Sequence, residues 1–279
     1  MPLDTTVLRF DDLDQYLLLK NGNILYKIPF RDGWAVLKVY YGSRSRRGYL
    51  YKTFVHVCFE NQTSVMPKAR RRVESECLAL WRECGFRVFG SYDDVKIEGL
   101  PDGGYALFEY VPGTLFETYF SDPKNSLDEK LAMWRRFLSD WHRRHQLAIA
   151  RRQPRLVHEN GSLEHVMIHE NELLYFDFEM VFRSRRRIRE FVAREIISYV
   201  RSLGRCVGEE QWDIFLKETV EHYPDRALLE HGYRWACENS NPLRRAAIEF
   251  LQQAKAKKSK PFSTYKSARR LGDILKATQ

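Results

Sequence analysis

At 279 residues the chain is long enough for one large domain or two lobes, since single cores stop growing near roughly 250 to 300 residues. Hydrophobic residues at 44% and aromatics at 14% exclude a disordered chain, and 30% charged residues keep the surface wet, so a soluble globular protein is expected. The net charge of +9 is clustered in RSRRGYLYK (44–52), KARRR (68–72), RSRRRIR (183–189) and KAKKSK (255–260), which favours an anionic partner: nucleic acid, anionic lipid or a phosphorylated substrate.

The first hundred residues read as β-rich. Leu17–Leu19 and Ile24–Ile28 flank Asn21-Gly22, a strong hairpin signal, and Trp34–Tyr41 reads as a further strand after Asp32-Gly33, giving three antiparallel strands. A basic insertion follows. Lys68–Cys84 then has helical periodicity, with Val73, Cys77, Leu80, Trp81 and Cys84 on one face and Gly85 as a C-terminal stop. FRVFGSY and GGYALFEYV read as strands around a Pro101-Asp102-Gly103 loop. From Ser126 onward the pattern is helical: Leu127–Ala150 carries Leu131, Trp134, Leu138 and Trp141 at helical spacing. Two short strands, Val166–His169 and Leu173–Phe176, interrupt it, and helices follow around Val192–Leu203, Gln211–Tyr223 and Ala227–Leu251.

These elements predict an α+β chain in two lobes: an antiparallel β lobe with one helix over 1–111, a mainly α lobe over 112–254 and a basic tail over 255–279, with the cleft between the lobes. No apolar stretch approaches the roughly 18 to 20 residues of a membrane helix, and MPLDTTVLRFDDLDQ has no signal-peptide pattern, so a cytoplasmic chain is expected. Cys58, Cys77, Cys84, Cys206 and Cys237 are odd in number and lack CxxC spacing, which reads as reduced core thiols rather than disulfides or zinc ligands.

Lys38 in AVLKVY has apolar neighbours, so burying its stem leaves an ammonium that needs an anion. On the next helix Glu74 opens the apolar face while Glu76 lies about 200° further round, which makes Glu74 the inward candidate. The order of lysine strand, glutamate helix, a strand ending Phe108-Glu109-Tyr110-Val111, long helix, His158 loop, hairpin and Asp177-Phe178-Glu179 parallels the protein-kinase set VAIK, helix glutamate, hinge, HRDxxxxN and DFG. His165 stands five residues after Asn160, at the spacing of the metal-binding asparagine from the catalytic aspartate.

On these motifs the sequence resembles the lipopolysaccharide core kinases, which phosphorylate heptose or Kdo sugars and whose heptose branch carries an HRDxxxxH loop. VESECLALWRECG looks like that family's glutamate helix, and REFVAREIISYVRSL like its helix after the metal motif, with Arg194-Glu195 where the family usually has Arg-Asp. The resemblance covers roughly residues 24–223 and implies a protein-kinase-like fold using ATP and Mg2+. It implies that Lys38, fixed by Glu74, holds the α and β phosphates, that the backbone of Glu109 to Val111 holds adenine, and that Asp177 and His165 hold magnesium. Asn160, with His158 in the same loop, would serve the acceptor. The implied acceptor is a lipid-linked saccharide at the inner face of the cytoplasmic membrane, with the anionic membrane surface as a second partner.

Three departures bear on activity. Asn160 stands in the place of the catalytic aspartate, Asn21-Gly22-Asn23 is a tight turn without the glycine signature of a phosphate loop, and DFG has become Asp177-Phe178-Glu179. Glu159 and Glu164 flank the loop as candidates for a displaced carboxylate. The second reading is therefore a pseudokinase with a nucleotide- or partner-binding regulatory role. A third is a basic nucleic-acid-binding protein in which Tyr49, Tyr51 and Phe54 stack bases, although no nucleic-acid motif accompanies them. His142 and His145 have metal-compatible i, i+3 spacing but read better as part of a solvent-facing basic turn, and Ser162 lacks a GxSxG elbow.

Overall fold

The computed structural model describes residues 6–41, 45–238 and 262–278. In chain order the elements are β1 (Thr6–Leu8), β2 (Leu17–Asn21), β3 (Asn23–Phe30), β4 (Gly33–Val39), α1 (Arg46–Cys58), α2 (Pro67–Glu83), β5 (Arg87–Val88), β6 (Val95–Ile97), β7 (Tyr105–Glu109), β8 (Thr114–Leu115), α3 (Phe116–Ser121), α4 (Leu127–Ala150), β9 (Val166–His169), β10 (Glu172–Tyr175), α5 (Ile188–His222), α6 (Arg226–Cys237) and α7 (Thr264–Ala277). The chain divides into two compact units, one of Met1–Gly113 with Ile168–Arg183 and the other of Thr114–Met167 with Ser184–Gln279. The α+β class expected from the sequence is the one observed.

The first unit is built on an antiparallel sheet in the order β2-β3-β4-β7. Alternation along the strands decides what each face carries. Tyr26, Ile28 and Phe30 of β3, Ala35, Leu37 and Val39 of β4, and Tyr105 and Leu107 of β7 close one apolar core with Val95 and Ile97 of β6. Lys38 therefore points to the opposite face, where small Ala106 is its neighbour across the β4–β7 ladder. Gly22, at φ 76°, makes the β2–β3 turn in a conformation that side chains resist.

This unit holds two α-helices where one was expected. The segment read as a basic insertion forms α1, because Ser45 caps it by accepting the Gly48 N–H at 3.3 Å, and charge alone does not oppose a helix. α2 packs through Val73, Cys77, Leu78 and Trp81. Trp81 meets Phe178 (centroids 4.4 Å apart), Tyr175 (5.2 Å) and Phe86 (5.6 Å), and β10 pairs in parallel with β5, so the segment around Asp177 belongs to the same packed body as the sheet.

The second unit is mainly helical. A capping box starts α4: Ser126 Oγ accepts the Glu129 N–H, and Glu129 Oε2 accepts the Ser126 N–H at 2.7 Å. α4 buries Leu131, Trp134, Phe137, Leu138 and Trp141 on one stripe. Two helices were expected, around Val192–Leu203 and Gln211–Tyr223, and α5 is two helices that meet in a kink at Gly208, whose φ of 76° and ψ of 171° are not helical. Of the helix expected over Ala227–Leu251, α6 covers the first part, and residues 239–251 lie outside the described residues, as does the basic run 255–260. The last residues are not a tail. α7 buries Ala268, Leu271, Ile274 and Leu275 against α5 and α6, and Arg270 pairs with Asp213.

Candidate functional site

In the first unit Lys38 is buried, and its ammonium gathers three carboxylates. Nζ lies 3.0 Å from Glu74 Oε1, 2.8 Å from Asp177 Oδ1 and 3.3 Å from Glu179 Oε2. Glu76 lies on the exposed side of α2, facing Arg72, as the helical phase requires. The Tyr40 hydroxyl donates to Glu74 Oε2, which fixes the carboxylate from its second oxygen. Burial opposes charge on Lys38, but Asp177, Glu74 and Glu179 outweigh it and hold its pKa well above that of an ordinary lysine. Burial lifts Glu74, against the pull of the Lys38 ammonium.

Glu179 has a role that its label as a lost glycine conceals. Its Oε2 accepts from Arg70 Nη2 at 2.6 Å and from Asn23 Nδ2 at 2.6 Å, and Arg70 also donates to Asn23 Oδ1. The turn after β2, the helix α2 and the segment after β10 are thus tied by one carboxylate. Arg70 is itself buried, so the KARRR run is not uniformly a solvated face. Two cations, Lys38 and Arg70, thus meet three carboxylates, Glu74, Asp177 and Glu179, in one cluster. Asp177 also holds a left-handed backbone at φ 69°, a strained conformation for a side-chain-bearing residue and one that concentrates at ligand sites. Glu109 bonds to Arg87 through its side chain, and its N–H is taken by Gly90 O at 3.0 Å, so that donor is occupied; Val111 is buried.

In the second unit the loop from Leu156 to His165 is anchored on α5. Glu195, wholly buried, receives Arg144 on both oxygens, Trp141 Nε1 at 3.3 Å, His145 Nε2 at 3.3 Å and the backbone N–H of His158 at 3.1 Å. Arg144 also donates to Leu156 O at 2.7 Å. Ser202 Oγ accepts the Leu163 N–H at 3.0 Å, and Gly161 sits so close to Tyr199 that a Cβ would meet its ring at 2.8 Å. The loop is therefore held at its start, middle and end. Asn160 remains exposed, Glu159 is half-buried and Glu164 is exposed.

His158 is buried, with Nδ1 2.9 Å from the Tyr199 hydroxyl. Arg144 and His145 are not a solvent-facing turn: both are in the core, and His145 Nδ1 meets the Tyr223 hydroxyl at 2.7 Å. The His165 Nδ1 donates to Asn160 O at 2.9 Å, and Glu164 Oε1 lies 3.8 Å from its Nε2. Of the cysteines only Cys77 is in the core; Cys58 is exposed and Cys84, Cys206 and Cys237 are partly buried. Tyr49 is buried too, which removes one of the three aromatics assigned to base stacking.

The buried cluster carries a pH signature. Burial depresses His145 to about 4 from its ordinary 6.5, so between those values the unfolded chain binds a proton that the folded chain does not, and stability falls as pH drops from 6.5 to 4. Burial opposes ionisation of Glu195, but Arg144 and His145 hold it at about 2 against 4.5, so its contribution is present above 4.5 and is lost as pH falls toward 2. Urea midpoints measured across this range should decline steadily, and His145→Gln should flatten the part above pH 4.5. A variant slope equal to that of the unsubstituted protein would contradict the assignment.

No protein-family model matches the sequence, and no curated protein matches it. Among solved structures the chain is similar to WaaP in complex with acyl carrier protein, at 11% identity and TM-score 0.44 over 87% of each chain. It is also similar to a Rio2 kinase ADP/Mg2+-phosphoaspartate complex from Chaetomium thermophilum, at 12% identity and TM-score 0.41, over 85% of this chain and 70% of that one. An apo pseudokinase is similar over 99% of each chain, at 15% identity and TM-score 0.41. Within the first unit the lysine strand, the glutamate helix and the aspartate after the hairpin converge on one ammonium, as the kinase resemblance of the sequence implies.

Proposed function

We propose that the protein is an ATP- and Mg2+-dependent kinase that phosphorylates a sugar hydroxyl of the lipopolysaccharide core, heptose or Kdo, on a lipid-linked saccharide at the inner face of the cytoplasmic membrane. The observation that carries this reading is the buried Lys38–Glu74 pair with Asp177 at its side, a cation pre-set for phosphate next to a carboxylate suited to a metal. The choice of sugar rests on the sequence resemblance and on His165. Lys38 would bind the α and β phosphates, and the Glu109–Val111 backbone the adenine. Asp177 and His165 would hold the metal: the first offers an anionic oxygen beside the Lys38 ammonium, the second an imidazole nitrogen. When bound, the ion neutralises phosphate charge during transfer. Asn160 would accept a hydrogen bond from the sugar hydroxyl and so orient it, without taking its proton. The direct test is transfer of labelled phosphate from ATP to purified core saccharides: transfer that survives Asp177→Ala would put the chemistry elsewhere.

The second reading, a pseudokinase, is favoured by Glu179, whose carboxylate already occupies the Lys38 ammonium and the Arg70 guanidinium. An internal anion there competes with phosphate. Charge-assisted hydrogen bonds contribute about 1.5–3 kcal/mol each, so Glu179→Gly should tighten ATP binding by roughly tenfold or more in titration calorimetry. Unchanged or weaker binding would show that Glu179 helps to form the site rather than to block it.

A further inference from the structure

Helix α1 has one face in the unit and one in water. On the inner face Tyr49 is buried and donates to Tyr40 O at 3.3 Å, while Thr53 Oγ1 meets Ser64 Oγ at 3.2 Å. On the outer face Leu50 is 56%, Tyr51 70% and Phe54 58% exposed, and Phe59, one residue beyond the helix, is 74% exposed. At about 100° per residue, Leu50, Tyr51, Phe54 and Cys58 fall within a single arc of roughly 100°. The Phe54 and Phe59 rings meet edge-on, with centroids 5.8 Å apart, so the apolar side chains form a continuous stripe. Arg47 continues that arc at the N-terminal end, Arg46 lies about 40° beyond one edge, and α1 contains no acidic residue.

We infer that α1 is a membrane-docking helix that lies in the plane of an anionic phospholipid surface, with Leu50, Phe54 and Phe59 among the acyl chains and Arg46 and Arg47 at the headgroups. The layout selects this occupant. An apolar, aromatic centre with cations on its rims is the pattern of a helix at a lipid interface, where basic side chains extend outward to headgroup phosphates. A nucleic acid needs its cations where the phosphates run, which here is apolar. A second copy docked on the same stripe would set Arg46 and Arg47 against an equally cationic surface. The inference deepens the membrane reading proposed above and rests on it for the choice of lipid, but it does not depend on phosphate transfer.

Sedimentation of the full chain with phosphatidylcholine vesicles, with and without phosphatidylglycerol, tests it. The protein should bind the anionic vesicles far more tightly than the neutral ones, and a fraction should remain bound in high salt, because inserted apolar area is not screened. Leu50→Ser with Phe54→Ser should lower the partition coefficient at least about tenfold at both salt levels. Arg46→Glu with Arg47→Glu should lower it mainly at low salt. All four side chains are exposed, so melting midpoints should stay unchanged. As a measurement free of substitutions, anionic vesicles should protect the exposed Cys58 thiol, on the same stripe, from maleimide. Absence of vesicle binding, or binding that the serine pair leaves intact, would overturn the inference. So would a dimer in light scattering, or oligonucleotide binding, that the serine pair abolishes. A melting shift with Mg-ATP that persists in these variants would separate a failure of this surface from a failure of the nucleotide reading.

Discussion

Replacing Asn160 by aspartate should raise sugar phosphorylation by roughly ten- to a thousandfold, the range that a general base supplies. Asn160 is exposed in a loop whose backbone is pinned by Glu195 and Ser202, and its own carbonyl is held by His165, so the substitution changes the side-chain chemistry without moving the chain. An amide accepts a hydrogen bond from the acceptor hydroxyl but does not take its proton; a carboxylate does both. Phosphoryl transfer draws most of its acceleration from positioning and metal electrostatics, which is why the Asn160 protein should be slow rather than inert. Under the pseudokinase reading Asn160→Asp adds nothing. The two outcomes are therefore distinct in one assay against core saccharide acceptors.

Glu195→Ala should destabilise the protein by about 3–5 kcal/mol, because it leaves the Arg144 guanidinium charged, wholly buried and without its carboxylate. The same change releases the His158 N–H, so the loop should lose its anchor together with the stability. Glu195→Asp keeps the charge on a shorter arm and should restore part of the loss. Denaturant midpoints would measure both, and a Glu195→Ala change below about 1 kcal/mol would mean that Arg144 finds other partners.

The residues legible in the sequence were those whose direction a simple period dictates. Lys38 sits in a period-two strand and Glu74 on a 3.6-period face, so their inward pointing followed, and the capped run from Leu127 to Ala150 was read at its observed bounds. Hidden residues were those judged by composition. Arg70 was read as one charge in a basic run that favours an anionic partner, Glu179 as a degenerate glycine, and the end of the chain as a basic tail, although Ala268, Leu271 and Ile274 have helical spacing. α1 was missed because apolar side chains occupy both of its faces, which erases the periodicity that marks an amphipathic helix. Glu195 was placed on the right helix, but its partners Arg144, His145 and Trp141 lie about fifty residues earlier in the sequence, beyond any local pattern.

The central claim is that Lys38, Glu74 and Asp177 form a nucleotide–metal site, and thermal melting with and without Mg-ATP tests it most directly. Nucleotide at a hundred times its dissociation constant should add about 2.7 kcal/mol to the stability of the protein, a readily measured rise in Tm. Asp177→Ala removes one of the three carboxylates around Lys38 and leaves Glu74 and Glu179 to pair with it, so the variant should fold and yet show no rise. A protein that melts at the same temperature with and without Mg-ATP, or an Asp177→Ala variant that keeps the full shift, would contradict the account.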